Sequence, residues 1–193
     1  MLKVKALLFD VFGTVVDWRT GIAKEVESIA IKNDIFLDPF DFADAWRAEY
    51  QPAMEEIRKG RRSFTILDIL HMENLKKIAP KFNLHNISDE DFKLLVTAWH
   101  RLPGWPDSSE GINLLKKKYI LATQSNGNIA LIVNMAKFSN LNWDVVLGAE
   151  VIGHYKPEPE AYLKACNTLN FKTEECLMVA AHEDDLRAAR QQG

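Results

Sequence analysis

The stretch from Lys3 to Asp17, K-V-K-A-L-L-F-D-V-F-G-T-V-V-D, limits what this chain can fold into more than any other. Val4, Ala6, Leu7, Leu8 and Phe9 form a short apolar run that reads as a buried strand ending on one carboxylate, Asp10, after which Gly13 and Thr14 turn the chain away. An acidic residue at the carboxyl end of a buried strand stands where open α/β sheets place their ligands. Taken alone, such an Asp is an ordinary turn residue. The reading changes only if later strands bring polar groups to the same edge.

Beyond Asp17 the pattern turns helical. Thr20 can cap a helix with Ile22, Val26, Ile29 and Ala30 on one face, and residues 41 to 58 keep helical register through Phe42, Trp46, Tyr50 and Ala53. Ser63 opens a third helix bounded by Pro80, and Ser88-Asp-Glu-Asp91 reads as a capping box for a fourth. Nothing between Trp18 and Leu102 reads as a strand. The breaker Leu102-Pro-Gly-Trp-Pro106 ends that block. Helix and short apolar run then alternate: helix 108–118, strand 119–123, helix 128–138, an extended stretch 143–147, helix 159–169, strand 176–181 and a helix from about Asp185. Alternation of this kind predicts a parallel sheet with crossover helices, which the first strand must join. The expected fold is therefore α/β, a Rossmann-like parallel sheet made by residues 1–17 and 106–193, with an all-helical block inserted at 18–105.

Size and charge remove several function classes. With 193 residues the chain can bury one core plus a small subdomain. A net charge of -3 gives no electrostatic footprint for nucleic acid or an anionic membrane. Arg58-Lys-Gly-Arg-Arg62 and Lys116-Lys-Lys118 read as solvated helix ends. No apolar segment approaches the length of a membrane span, and the opening residues lack a signal-peptide pattern. Cys166 and Cys176 sit in apolar surroundings without metal-ligand spacing, as core thiols do in a reducing cytoplasm, the location expected here.

In a parallel sheet all strands point one way, so the residues just past each strand end share an edge. Those residues are Asp10, then Ser125-Asn126-Gly127, then Tyr155-Lys156-Pro157, and finally His182 to Asp185. A carboxylate, a hydroxyl with an amide, an ammonium and a second acidic cluster suit covalent catalysis on an anionic substrate. Each piece has a plainer reading: Ser-Asn-Gly is a common turn, Lys156 can be surface, and Asp184 and Asp185 can simply favour a helix N-terminus. Their conjunction in this order is much harder to explain that way.

These stretches resemble the four signature motifs of the haloacid dehalogenase superfamily, and most closely its L-2-haloacid dehalogenase (type II) branch. The resemblance implies that Asp10 is the nucleophile, with Lys156 and Asp185 as its catalytic partners and Val11, Phe12, Ser125 and Asn126 around the substrate. The inserted block resembles the family's helical cap, in which an Arg directly after a Trp reaches the substrate; Trp46-Arg47 matches it. Two departures stand out: Gln124 replaces an aliphatic residue, and the chain stops at Gly193 where relatives continue into a further strand, so the sheet is expected to lack its C-terminal strand.

Most members of the superfamily are Mg²⁺-dependent phosphatases, in which a second Asp, two residues after the nucleophile, protonates the leaving alkoxide. Here that position is Phe12. General acid help is typically worth about 10²–10⁴-fold, whereas halide leaves without it. The family's phosphatases also supply a metal-binding carboxylate early in motif four, where this chain has Ala180 and Ala181; Glu183 and Asp184 are the only substitutes nearby. The resemblance thus implies a metal-free hydrolase acting on carbon–halide bonds. Its partners would be a small 2-halocarboxylate and water, with a homodimer left open, no cofactor, and Arg47 and Asn126 receiving the halide. The alternatives are a phosphatase using Mg²⁺ and an inactive truncated member. Aromatic Phe12, Trp18 and Trp46 are candidates to wall the alkyl group, and His182 either anchors the Lys156–Asp185 cluster or packs.

Overall fold

A computed structural model describes residues 4–193; Lys3, which opens the first stretch, lies outside them. The chain order is β1 (Ala6–Phe9), α1 (Trp18–Lys32), α2 (Pro39–Ala48), α3 (Tyr50–Arg58), α4 (Leu67–Ile78), α5 (Asp89–Val96), α6 (Ser108–Leu115), β2 (Ile120–Thr123), α7 (Ile129–Phe138), α8 (Ala149–Ile152), α9 (Pro159–Thr168), β3 (Cys176–Val179) and α10 (Glu183–Arg190), with short 3-10 turns between several of them. The three strands are parallel in the order β2-β1-β3, so the expected α/β parallel sheet is present.

Residues of β1 alternate between two cores, which is why the run is apolar throughout. Leu7 and Phe9 enter the larger cluster, with Phe12, Leu131 and the helical block; Leu8 enters the smaller one, with Ala161, Ala165 and Cys166 of α9. Both cysteines pack in that second cluster as free thiols. The register pairs Phe9 with Thr123 and Val179, and the ladder closes just beyond, where Gln124 N–H donates to Phe9 O and Asp10 N–H to Val179 O. The three strand ends are thereby level, and the side chains that follow them share one edge. At the sheet's outer side Leu177 of β3 is 51% exposed.

Several helix boundaries differ from the sequence reading. The cap of α1 is Asp17, not Thr20: its carboxylate accepts from the Thr20 N–H at 3.1 Å and the helix begins at Trp18. Replacing Asp17 with Ala should lower stability by about 1 kcal/mol in urea unfolding, with the fold unchanged. The helix expected over residues 41 to 58 is two helices meeting at Glu49. Pro52 is the reason: it lacks the N–H that a continuous helix would direct to Ala48 O, and it is tolerated only in a first turn. The helix expected from Ser63 starts at Leu67, because the Thr65 carbonyl is taken across the molecule by the Tyr155 hydroxyl at 2.6 Å. Residues 143–147 make only a bridge from Val145 to Ala122; the Asp144 carboxylate accepts the Leu121 N–H at 2.9 Å and caps the ladder there.

The helical stretch from Trp18 to Leu102 contains no strand, as expected. Its buried aromatics, Phe42, Trp46 and Trp99, are continuous with Phe12, Val15 and Ile132 in one apolar cluster. That block is therefore seated on the sheet edge that carries Asp10 rather than standing apart from it.

Candidate active site

At the level edge, β1 delivers Asp10 and Thr14, the turn after β2 delivers Asn126, the segment before α9 delivers Lys156, and the first turn of α10 delivers Asp185. Gly13 makes the first of these turns possible. It adopts φ +86°, a left-handed conformation that side chains disfavour, and a Cβ there would stand 3.3 Å from the His182 ring. A cavity of about 770 Å³ opens over the edge, lined on the sheet side by Asp10, Phe12, Asn126, Lys156, Tyr162, His182 and Asp185, and on the helical side by Arg47 and α3.

Asp10 is 5% exposed and both its oxygens are engaged. Lys156 Nζ donates to Oδ1 at 2.8 Å and the Thr14 hydroxyl to Oδ2 at 2.7 Å, while Thr14 in turn accepts the Ala181 N–H. Burial alone would raise the Asp10 pKa; the Lys156 ammonium, the two hydrogen bonds and His182 outweigh it and hold the carboxyl below its ordinary value. The ammonium also contacts Asp185 Oδ2, so it bridges the two carboxylates. Burial would lower the Lys156 pKa, but Asp10 and Asp185 together raise it, and the group stays charged. With two of its three donors engaged, one remains. Asp185 Oδ1 accepts from the Tyr162 hydroxyl at 2.7 Å, and burial with that bond pushes the Tyr162 phenol up, so it remains protonated.

Asn126 turns its Oδ1 to the Lys156 N–H at 2.8 Å, which leaves its NH₂ as a free donor on the cavity wall. Ser125 lies behind this wall, its hydroxyl accepting the Gly127 N–H at 3.1 Å. Val11 is wholly buried, and among the described residues no backbone partner takes the N–H of Val11 or Phe12. Phe12 is 2% exposed and packs edge-on against Trp99 at 5.9 Å between ring centroids. The Arg47 guanidinium lies 3.9 Å over the Tyr50 ring, and among the described residues its buried NH1 has no partner. A buried cationic donor left unspent is costly unless an anion takes it.

His182 Nε2 is 2.9 Å from the Phe12 carbonyl oxygen and 3.7 Å from Asp10 Oδ2; since a carbonyl only accepts, Nε2 carries the proton. Trp46 and Trp18 do not line the cavity: Trp46 donates to His71 O at 3.0 Å, and Trp18 stacks on Trp99. Thr14, Tyr162 and Tyr50 went unnoticed in the sequence. Thr14 carried a faint signal, a hydroxyl one turn past the carboxylate. Tyr162 and Tyr50 carried none, since each fits helical apolar register as ordinary packing.

A model of the haloacid dehalogenase-like hydrolases matches residues 4–193. A solved structure of a defluorinating L-2-haloacid dehalogenase is 44% identical, covers 98% of this chain and 78% of its own, and superimposes with a TM-score of 0.95. An (S)-2-haloacid dehalogenase of Burkholderia cepacia is 27% identical over 97% of this chain and 79% of its own length. A pyrophosphatase of Bacillus cereus is similar at 24% identity over 100% of this chain and 81% of its own length.

Proposed function

This chain belongs to the haloacid dehalogenase-like hydrolases, and from that premise we propose that it hydrolyses short L-2-haloalkanoic acids to 2-hydroxy acids through an ester on Asp10. The observation that carries this reading is Phe12. A phosphate ester needs a proton donor beside the nucleophile, and that place holds a buried aromatic ring packed on Trp99. A departing halide needs no proton, so the ring costs the reaction nothing.

On this reading residues 18–105 act as the cap and residues 1–17 with 106–193 as the catalytic core. One Asp10 oxygen attacks C2 of the substrate from the side opposite the halogen; the carbon–halogen bond breaks, halide leaves with the bonding pair, and C2 inverts. A carboxylate is a weak nucleophile in water, and its power comes from alignment and from exclusion of solvent. Lys156, Thr14 and His182 keep Asp10 ionised without blocking it. The free donors on Arg47 and Asn126 receive the charge that develops on the halide. The N–H groups of Val11 and Phe12 hold the substrate carboxylate, while Ser125, expected from the resemblance to join them, stands behind the wall and fixes the turn through the Gly127 N–H. Water then attacks the ester carbonyl of Asp10, with Asp185 taking its proton and Lys156 orienting it. Cleavage restores Asp10 and releases the hydroxy acid.

The same donor set supports a reaction without bound Mg²⁺. The charge between Asp10 and Asp185 is already the Lys156 ammonium, and among the described residues no group of three or more His, Cys, Asp or Glu is placed to hold a metal ion. A hard cation requires several oxygen ligands. We read the reaction as cofactor-independent.

The purified protein should release halide from L-2-chloropropionate at a rate unchanged by EDTA, and the product should be the D-2-hydroxy acid. In a single turnover in H₂¹⁸O the label should enter Asp10 before the product. Inertness toward chloro- and bromoacids combined with Mg²⁺-dependent cleavage of an aryl phosphate would overturn the assignment.

A further inference from the structure

Lys156 is reached from the helical side by a residue that none of the motifs contains. Arg58, the last residue of α3, is separated from it by 98 positions, yet its NH1 donates to the Lys156 carbonyl oxygen at 2.9 Å. The remaining face of its guanidinium is held by α3 itself, through Nε to Glu55 at 2.8 Å and NH2 to Gln51 at 3.1 Å. The side chain is 13% exposed, and Gln51, Glu55 and Arg58 all line the cavity that contains Asp10. The opposite end of the same residue is fixed too, since the Lys156 N–H donates to Asn126 at 2.8 Å.

We propose that Arg58 is a positioning residue for the reaction, clamping the Lys156 backbone from the cap so that the cap's seating sets where the ammonium stands against Asp10. The physical case rests on stiffness. A lysine side chain is a flexible four-carbon stem, so its charge is placed only as well as its backbone and its partners are held. Arg58 presents a rigid fork whose Nε and NH2 are bound to α3, which fixes the direction in which NH1 points. A misplacement of about 1 Å at a reacting centre can cost about 10²-fold. If the cap lifts, the Lys156 carbonyl loses this donor and the ammonium is left to Asp10 and Asp185 alone.

The proposal rests on the dehalogenase reading for its kinetics but has a readout of its own. The titratable groups sharing the cavity with Asp10 and Lys156 are Glu158, Tyr162, His182, Asp184 and Asp185 on one side and Arg47, Tyr50, Glu55 and Lys59 on the other; of these Arg58→Ala deprives only Glu55 of a direct partner, and Arg58→Lys controls for the lost charge. That variant should lose about 10–10²-fold in kcat toward L-2-chloropropionate, with KM changed only a few-fold. The acid limb of kcat/KM should move to higher pH, and the Asp10 carboxyl, followed by ¹³C NMR, should titrate at higher pH than in the wild type. Arg58→Lys, which keeps the charge and one donor, should recover part of each. An Arg58→Ala protein whose acid limb and Asp10 titration both match the wild type would overturn the proposal, whatever its melting temperature, because a plain brace for the cap predicts that result. Should the wild type release no halide, the dehalogenase reading falls, and the Asp10 titration alone still decides the role of Arg58.

Discussion

Asp10→Asn should abolish halide release, with kcat/KM falling about 10⁴-fold or more, the scale seen when an enzyme loses its nucleophile. A loss of that size is about 5.5 kcal/mol of barrier, more than any binding contact at this site can supply. The amide has the shape of the carboxylate; its oxygen can still accept from Lys156, and the Thr14 hydroxyl can turn to accept from its NH₂, so the cavity keeps its walls. Lys156 also keeps Asp185 as a charged partner, and the protein should remain folded by circular dichroism. What the amide lacks is the charge that attacks carbon. Residual turnover at a tenth of the wild-type rate would mean that water attacks the substrate directly, and the covalent route would have to be abandoned.

The second large effect is on stability. Lys156→Met removes the bridge between two buried carboxylates while filling most of its volume. Breaking a buried ion pair from one side typically costs about 3–5 kcal/mol, because the remaining charge has no compensation. In the wild type the Asp10 pKa is held down, so its contribution is fully present above its unfolded value near 3.8 and is lost as pH falls through the lower folded value. In the variant, burial acts on Asp10 against only the Thr14 hydrogen bond and His182, and its folded pKa should rise above the unfolded one. The sign of the linkage is then reversed for that group: the variant is weakest at neutral pH and recovers as protonation neutralises Asp10. The gap between the two proteins in urea unfolding should therefore be widest at pH 7 and shrink toward pH 4. A gap independent of pH would assign the loss to packing rather than to charge. Activity should vanish in either case, since the ammonium that orients the attacking water is gone.

Charge also explains why these side chains can be buried without destabilising the fold. Asp10, Lys156 and Asp185 are all nearly buried, and an isolated charge in such a place would be driven to neutrality. The ammonium set between two carboxylates, closed off by Thr14 and Tyr162, satisfies each group in turn. Arg47 is the exception at this site, with a buried donor that none of the described residues accepts. In this reading the imbalance belongs to function, because the missing partner is the anion that the reaction produces.

Much of this arrangement was legible before any coordinates. Asp10, Asn126 and Asp185 could be placed together because each follows a strand or opens the helix after one, and parallel strands end level; Lys156 follows no strand, since α8 stands between it and the Val145 bridge, and only the motif resemblance put it there. Thr14 and Tyr162 escaped notice because a hydroxyl in a turn and a tyrosine in helical register look the same whether they hold a carboxylate or fill space. The break at Glu49 escaped notice because apolar periodicity continues through it, although Pro52 marked the spot. That break matters to the site, since it sets Arg47 at the end of one helix and Tyr50 at the start of the next, with the ring under the guanidinium.

By itself the sequence determined the parallel sheet, the helical insertion after the first strand and the ordering of polar residues along one edge. Local periodicity and strand direction are written in neighbouring residues, and these features need nothing more. Only the tertiary structure decided that Ser125 stands behind the wall, that His182 donates a hydrogen bond to the Phe12 carbonyl, and that Arg58 grips the Lys156 backbone. Those outcomes depend on hydrogen bonds between segments far apart in the chain, whose direction is chosen when the helical block settles onto the sheet and which leave no periodic mark in either partner.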